Sequence, residues 1–345
     1  MPPGNDVTDT EALLEVRDLR THFSLERSLL ENALARIAGR PPRLLRAVDG
    51  VSLHICPGET LGLVGESGCG KTTLGRSILR LVEPTDGEVR FRGMVVNELT
   101  PSQLRALRPR MQIVFQDPGG ALNPRRTVAA AVGRALDVAG IRGRRAQASP
   151  CSDLLESVGL QPELGNRYPH QLSGGQKQRA CIARALATEP DLIVADEPVS
   201  ALDVSVQAQI LHLLTELQRK RGVALLFISH DLSVVRQVSH RIAVMYAGRI
   251  VEIGPAEDVI DGALHPYTQQ LLEAVPRLHH RRDFRAQDDA PARPRADRPE
   301  GGCPYGDRCP VGQQARCGDL EPELVQIAPG HSVACHDVTR PAATQ

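Results

Sequence analysis

The chain is nearly devoid of lysine. Among 41 basic residues only Lys71, Lys177 and Lys220 are lysines, against 38 arginines. Net charge is also absent, because 41 acidic residues balance the basic ones. Composition therefore gives no case for a nucleic-acid binder. Long apolar runs are missing as well. The best candidate, Val223 to Ser229, is strand-sized, far short of the roughly 18–20 residues that span a bilayer. Residues 1–11 are polar and acidic, unlike a secretory signal. Together these absences place the chain in the cytosol, with any membrane association made through a partner. What is present is ordinary for a globular protein: 345 residues, 41% hydrophobic and 24% charged. That length allows two domains with a large buried core. No internal repeat is found.

The stretch Gly65-Glu66-Ser67-Gly68-Cys69-Gly70-Lys71-Thr72 fits G-x-x-x-x-G-K-S/T, a phosphate-binding loop. Three glycines let the backbone close into a nest of inward N–H groups. Thr60 to Val64 before it reads as a buried strand, and Thr73 to Leu81 after it as a helix whose N-terminus adds partial positive charge. Lys71 is suited to the β- and γ-phosphates of a nucleotide, and Thr72 to Mg²⁺. One of only three lysines thus stands where arginine's planar fork would not replace a compact ammonium.

About 125 residues later the apolar run Leu192 to Ala195 ends in Asp196-Glu197. The first carboxylate suits Mg²⁺, and the second an attacking water. Between loop and carboxylates lies Leu172-Ser173-Gly174-Gly175-Gln176. A capping box explains Ser173 and Gln176. It does not explain two adjacent glycines in a first helical turn, each costing up to about 1 kcal/mol relative to alanine. Glycines there leave backbone N–H groups open to an anion.

Strand-like runs before residue 119 and after residue 189 flank a stretch with helical periodicity, as in Thr127 to Ala139 and Ser152 to Val158. The expectation is an α/β core with a helical subdomain inserted at about 119–189. Ser24 to Arg46 reads as an insertion with a short helix. Arg277 to Glu300, rich in Arg, Asp, Ala and Pro, reads as a mobile linker.

In this order the motifs resemble the ATPase subunit of an ABC transporter over about residues 13–275. The resemblance implies a P-loop NTPase core with an antiparallel β-subdomain as well as the helical one. It implies that Phe23 stacks on adenine, that Gln116 is the Q-loop glutamine and joins Thr72 and Asp196 at Mg²⁺, and that Thr73 joins the nucleotide loop. Ser200-Ala201-Leu202-Asp203 resembles the D-loop, and His230 the switch histidine at the γ-phosphate. Glu197, His230 and Gln116 would be catalytic. Phe115-Gln116-Asp117-Pro118, Leu122-Asn123-Pro124-Arg125, His265-Pro266-Tyr267-Thr268 and the cysteine tail are similar to oligopeptide/dipeptide importer ATPases. The insertion before Ala47 resembles the second of the two ATPases such systems carry. One departure stands out: Asp117-Pro118-Gly119-Gly120-Ala121 lacks an aromatic after Asp-Pro.

The expected domains are 1–262, the ABC ATPase, and 263–345, a transporter-type C-terminal extension. The resemblance implies a heterodimer with a second ATPase, or a homodimer if unpaired, two transmembrane permease subunits and an extracytoplasmic substrate-binding protein. It places the chain at the cytoplasmic face of the membrane, with no nucleic-acid partner. It further implies ATP hydrolysis with Mg²⁺, energising import of di- or oligopeptides. Import of nickel chelates or another small solute is the alternative within the class, and a soluble non-transport ABC ATPase the alternative outside it.

Cys303, Cys309, Cys317 and Cys335 are separated by 5, 7 and 17 residues. Four cysteinates suit zinc or an iron–sulfur cluster, and the lack of a C-x-x-C pair weighs against structural zinc. The resemblance implies a 4Fe–4S cluster, with free thiols or a disulfide as alternatives.

Overall fold

A computed structural model describes residues 12–24, 44–274, 301–311 and 315–338. The expected insertion after Ser24 and the expected linker after Arg277 fall largely outside these residues.

In chain order the strands and helices begin with β1 (Leu14–Ser24), β2 (Leu44–Ile55) and β3 (Thr60–Val64). Then come α1 (Lys71–Ile78), β4 (Asp86–Phe91), β5 (Met94–Val95), α2 (Pro101–Leu107) and β6 (Met111–Val114). A helical stretch follows: α3 (Pro118–Ala121), α4 (Val128–Val138), α5 (Arg144–Ser157) and α6 (Gly174–Leu186). Strands return with β7 (Leu192–Asp196), α7 (Val204–Arg221), β8 (Ala224–Ser229), α8 (Leu232–Val238), β9 (Arg241–Tyr246) and β10 (Arg249–Pro255). The chain closes with α9 (Ala256–Asp261), α10 (Pro266–Glu273), α11 (Ala315–Asp319), β11 (Val325–Ala328) and β12 (His331–Val333).

Two compact units share this chain, and several strands carry residues of both. The first holds residues 53–61 and 88–229 among its parts. In it β6, β7 and β8 run parallel, with Met111 opposite Leu192 and Leu192 opposite Ala224. Every residue of β7 and β8 is buried. That is why both read as continuous apolar runs: a parallel strand covered on both faces has no polar side to alternate with. All four helices from α3 to α6 lie in this unit. Thr127 caps α4 through its hydroxyl, accepting from Ala130 N–H at 3.3 Å.

The second unit holds residues 17–52, 62–87 and 230–338 among its parts. Its strand order is β11-β12-β10-β9, followed by the Gly62–Val64 end of β3. β9 and β10 form an antiparallel hairpin through Ala247-Gly248, with Arg249 opposite Tyr246. Both φ values in that turn are positive, at 50° and 89°. The C-terminal hairpin β11–β12 turns at Gly330, where φ is 72°, and docks on β10 with Glu252 opposite Val333. A buried polar hub pins it there. Glu252, fully buried, accepts from the Leu264 and His265 backbone N–H groups and pairs with His331 at 2.9 Å. Burial pushes the Glu252 carboxyl up, but His331 and the backbone donors outweigh it and hold it below the usual carboxylate value. In the first unit β4 and β5 pair antiparallel, with Arg90 opposite Val95 and Phe91 opposite Met94. Among the described residues no helix is long and apolar enough to cross a membrane.

Candidate functional site

In the second unit β3 runs through Gly65 to Gly70 into α1, the strand–loop–helix order expected. Two glycines are fixed by close approach. A Cβ on Gly65 would lie 2.1 Å from the Met245 carbonyl oxygen, and one on Gly70 would lie 2.1 Å from that of Ala47. Gly70 also has φ 112°, a conformation open to glycine and costly for other residues. It stands at the N-cap of α1, so the helix starts at Lys71, earlier than the apolar pattern implies. Lys71 is buried at 4% exposure. Its ammonium donates to the Gly65 and Glu66 carbonyls at 2.6 and 2.9 Å. The loop is bridged internally by Cys69 N–H to Glu66 O at 3.1 Å, and from the hairpin turn by Gly248 N–H to Cys69 O at 2.9 Å. Ser67 and Gly68 are exposed, Thr72 and Thr73 half-buried.

Two residues far downstream in the chain touch this loop. The Tyr267 hydroxyl accepts from Glu66 N–H at 2.8 Å, and Arg308 grips the Glu66 carboxylate with both terminal nitrogens at 3.0 Å. Sequence reading singles out both segments only by resemblance. They lie 201 and 242 residues from Glu66, so no local pattern could pair them with it.

In the first unit Asp196 ends β7, buried at 1% exposure. Glu197 follows in a left-handed conformation with φ 46°, and its N–H donates to Ile228 O at 3.0 Å. A non-glycine residue in this region is strained. Gln116, just past β6, donates its amide to Glu197 Oε2 at 2.9 Å. The structure thus joins Gln116 and Glu197, which are 81 positions apart. The glycines after Asp-Pro have a local role: Gly119 and Gly120 N–H groups donate to the Asp117 carboxylate, capping α3.

Ser173 caps α6 in a capping box. Its hydroxyl accepts from Gln176 N–H at 3.3 Å, and Gln176 Oε1 accepts from Ser173 N–H at 3.0 Å. Gly174 is exposed, and a Cβ there would sit 3.3 Å from Leu202 Cδ2. Gly175 is buried, and a Cβ there would sit 2.5 Å from Val206 Cγ1. Packing against α7 therefore supplies a second reason for that glycine. Asp203 stands exposed at the N-cap of α7.

In the second unit Phe23 lies on β1 at 39% exposure, and His230 is exposed at the start of the segment leading to α8. Cys303, Cys309, Cys317 and Cys335 line one small cavity with Tyr305 and His336. Burial pushes the Cys303 thiol up to about 11 and raises that of Cys335. Among the described residues no group of three or more His, Cys, Asp or Glu is disposed to hold a metal ion. The expected iron–sulfur cluster is therefore without support.

A strand, a glycine nest with a buried lysine and a following helix define a P-loop nucleotide-binding ATPase. The family model described as "ABC transporter" matches residues 48–200, and "Oligopeptide/dipeptide transporter, C-terminal region" matches residues 251–317. The chain is 43% identical to the oligopeptide transport ATP-binding protein AppF of Bacillus subtilis, over 94% of this chain and 97% of that one. It is 45% identical to a probable peptide ABC transporter ATP-binding protein of Sinorhizobium fredii, over 97% and 92%. The glutathione import ATP-binding protein GsiA of Escherichia coli is 52% identical over 78% of this chain and 42% of that protein. Among solved structures, cbiO1 from Clostridium perfringens superposes with TM-score 0.60 at 25% identity, over 73% of this chain and 91% of that one. The cassette MJ0796, a post-hydrolysis dimer bound to ADP and Pi, does so with TM-score 0.58 at 28% identity, over 70% and 98%. The chain belongs to the ABC transporter family, among its oligopeptide/dipeptide ATP-binding proteins, and is an ATP hydrolase.

Proposed function

We propose that this chain is the ATP-hydrolysing subunit of an importer for di- or oligopeptides. The observation that carries the reading is the nest around Lys71, joined in one chain with the Gln116–Glu197 pair. The Lys71 ammonium would leave its two loop carbonyls for phosphate oxygens, a stronger acceptor. The N–H groups of Gly68 to Thr72, with the α1 N-terminus, would hold the β-phosphate, and Phe23 the adenine. Glu197 would orient the attacking water and take its proton, with Gln116 fixing its carboxylate and His230 sensing the γ-phosphate. Thr72, Gln116 and Asp196 offer hard oxygen donors, which fit Mg²⁺. When bound, Mg²⁺ would neutralise phosphate charge.

Ser173, Gly174, Gly175, Gln176 and Asp203 would face the nucleotide of a second ATPase subunit, head to tail, with two permease subunits above the pair. The chain would then work at the cytoplasmic face of the membrane. Domain limits of 1–262 and 263–345, with the helical part at 119–189, fit this division of labour. The peptide assignment leans on the named relatives, one of which is a glutathione import ATP-binding protein.

The test is uptake of a labelled peptide in cells lacking the gene, complemented with wild type or Glu197→Gln. Wild type should restore uptake and the variant should not, while purified Glu197→Gln still binds ATP. Uptake that never depended on the gene would refute the peptide assignment. A variant hydrolysing ATP at the wild-type rate would refute the role of Glu197.

A further inference from the structure

The chain has four tyrosines and no tryptophan, yet three of the four gather beside the phosphate loop. Tyr246 from β9, Tyr267 from α10 and Tyr305 from the cysteine segment pack tilted and edge to face, with ring centroids 4.6, 5.2 and 5.5 Å apart. All three are at most 3% exposed. Arg308 lies over the Tyr246 and Tyr305 rings, its guanidinium carbon 5.9 and 6.0 Å from their centroids. Such contacts hold a guanidinium in one orientation. From there both terminal nitrogens reach the Glu66 carboxylate. Tyr267 engages the same residue from its backbone side. The tyrosines are themselves anchored, since the Tyr305 hydroxyl donates to Gln270 on α10 at 2.7 Å.

Glu66 is thus held at backbone and side chain by residues more than 200 positions downstream. It is the second residue of the phosphate loop, and its carbonyl is one of the two that hold the Lys71 ammonium. A shift at Glu66 would move both the loop entry and that ammonium. A simple surface ion pair would not need a buried tyrosine hydroxyl on the adjacent amide.

We propose that Arg308 and Tyr267 are positioning residues for ATP: the C-terminal extension presets the phosphate loop through Glu66. The inference rests on the reading of this loop as the ATP site. Neither residue touches nucleotide. Both act by fixing the nest in its binding conformation, so their loss should weaken ATP affinity more than turnover.

The probe is N-methylanthraniloyl-ATP, titrated against the full-length chain. Arg308→Gln should weaken binding about tenfold, which is about 1.4 kcal/mol, and Arg308→Lys, which keeps the charge but loses the fork, should weaken it nearly as much. Tyr267→Phe keeps the aromatic packing and should weaken binding about fivefold. In a Glu66→Gln background, Arg308→Gln should add less than a twofold change. A Kd within twofold of wild type for Tyr267→Phe and for Arg308→Gln overturns the proposal, and so does an Arg308→Gln effect of equal size in both backgrounds. If Arg308→Gln does not fold, Tyr267→Phe decides alone. A wild-type chain that binds no analogue instead overturns the ATP-site reading on which the proposal stands.

Discussion

His265 should make this protein acid-sensitive in a defined window. The side chain is 1% exposed. Its Nδ1 accepts the Tyr267 N–H at 3.0 Å and caps α10, so the ring is neutral with its proton on Nε2. Burial pushes its pKa from 6.5 down to about 4, against the opposing pull of Glu252. Above pH 6.5 folded and unfolded chains both hold a neutral imidazole, and the contribution to stability is complete. Between pH 6.5 and 4 the unfolded chain binds a proton that the folded chain refuses, so stability falls. A depression of 2.5 pKa units, at 1.36 kcal/mol each, corresponds to about 3 kcal/mol lost by pH 4. The carboxyl of Glu252, held below its usual value, begins to add its own loss only as pH falls through the carboxylate range. The assay is urea unfolding followed by circular dichroism at half-unit steps from pH 7.5 to 4. His265→Asn retains a side-chain acceptor for the helix cap but cannot titrate. Its stability should fall by about 3 kcal/mol less over the same range. Equal slopes for the two chains between pH 6.5 and 5 would refute the reasoning.

Two further substitutions bear on the site. Gly70→Ala should cost about 3 kcal/mol of stability, from φ strain and a 2.1 Å approach to the Ala47 carbonyl, and should abolish nucleotide binding; denaturant midpoints and analogue titration check both. Ser173→Ala should cost about 1 kcal/mol through the lost cap, and Ser173→Asp should restore that stability. Assembled ATPase activity should not return with Ser173→Asp, because a carboxylate there repels phosphate; recovery would mean the serine only caps.

Much of this structure is legible in the sequence. Buried parallel strands such as β7 and β8 announce themselves as apolar runs. Local chemistry blurs some ends. Helix α5 begins at Arg144 and carries Pro150 inside it, where a reading that treats proline as a breaker starts the helix only afterwards. The β11–β12 hairpin escapes because its strands are four and three residues long and gain stability from β10, not from propensity. Its turn, Pro329-Gly330 between short alternating runs, is the signal that could have exposed it. In the site, the glycine nest and the Asp196-Glu197 pair are visible as motifs because each is local. The tie from Gln116 to Glu197, the second purpose of Gly175 and the grip on Glu66 are tertiary contacts, and no spacing rule encodes them. The four tail cysteines show the opposite failure. They do converge on one cavity, yet convergence alone does not supply ligand geometry.

The grip on Glu66 also imposes an order on biosynthesis. A ribosome adding about 5–20 residues per second has made the phosphate loop long before it reaches Arg308, 242 positions later. For roughly 10–50 seconds the nascent chain carries the loop without its clamp. Nucleotide captured in that interval would meet an unset nest, so competence to bind ATP should arrive only once Arg308 has left the exit tunnel.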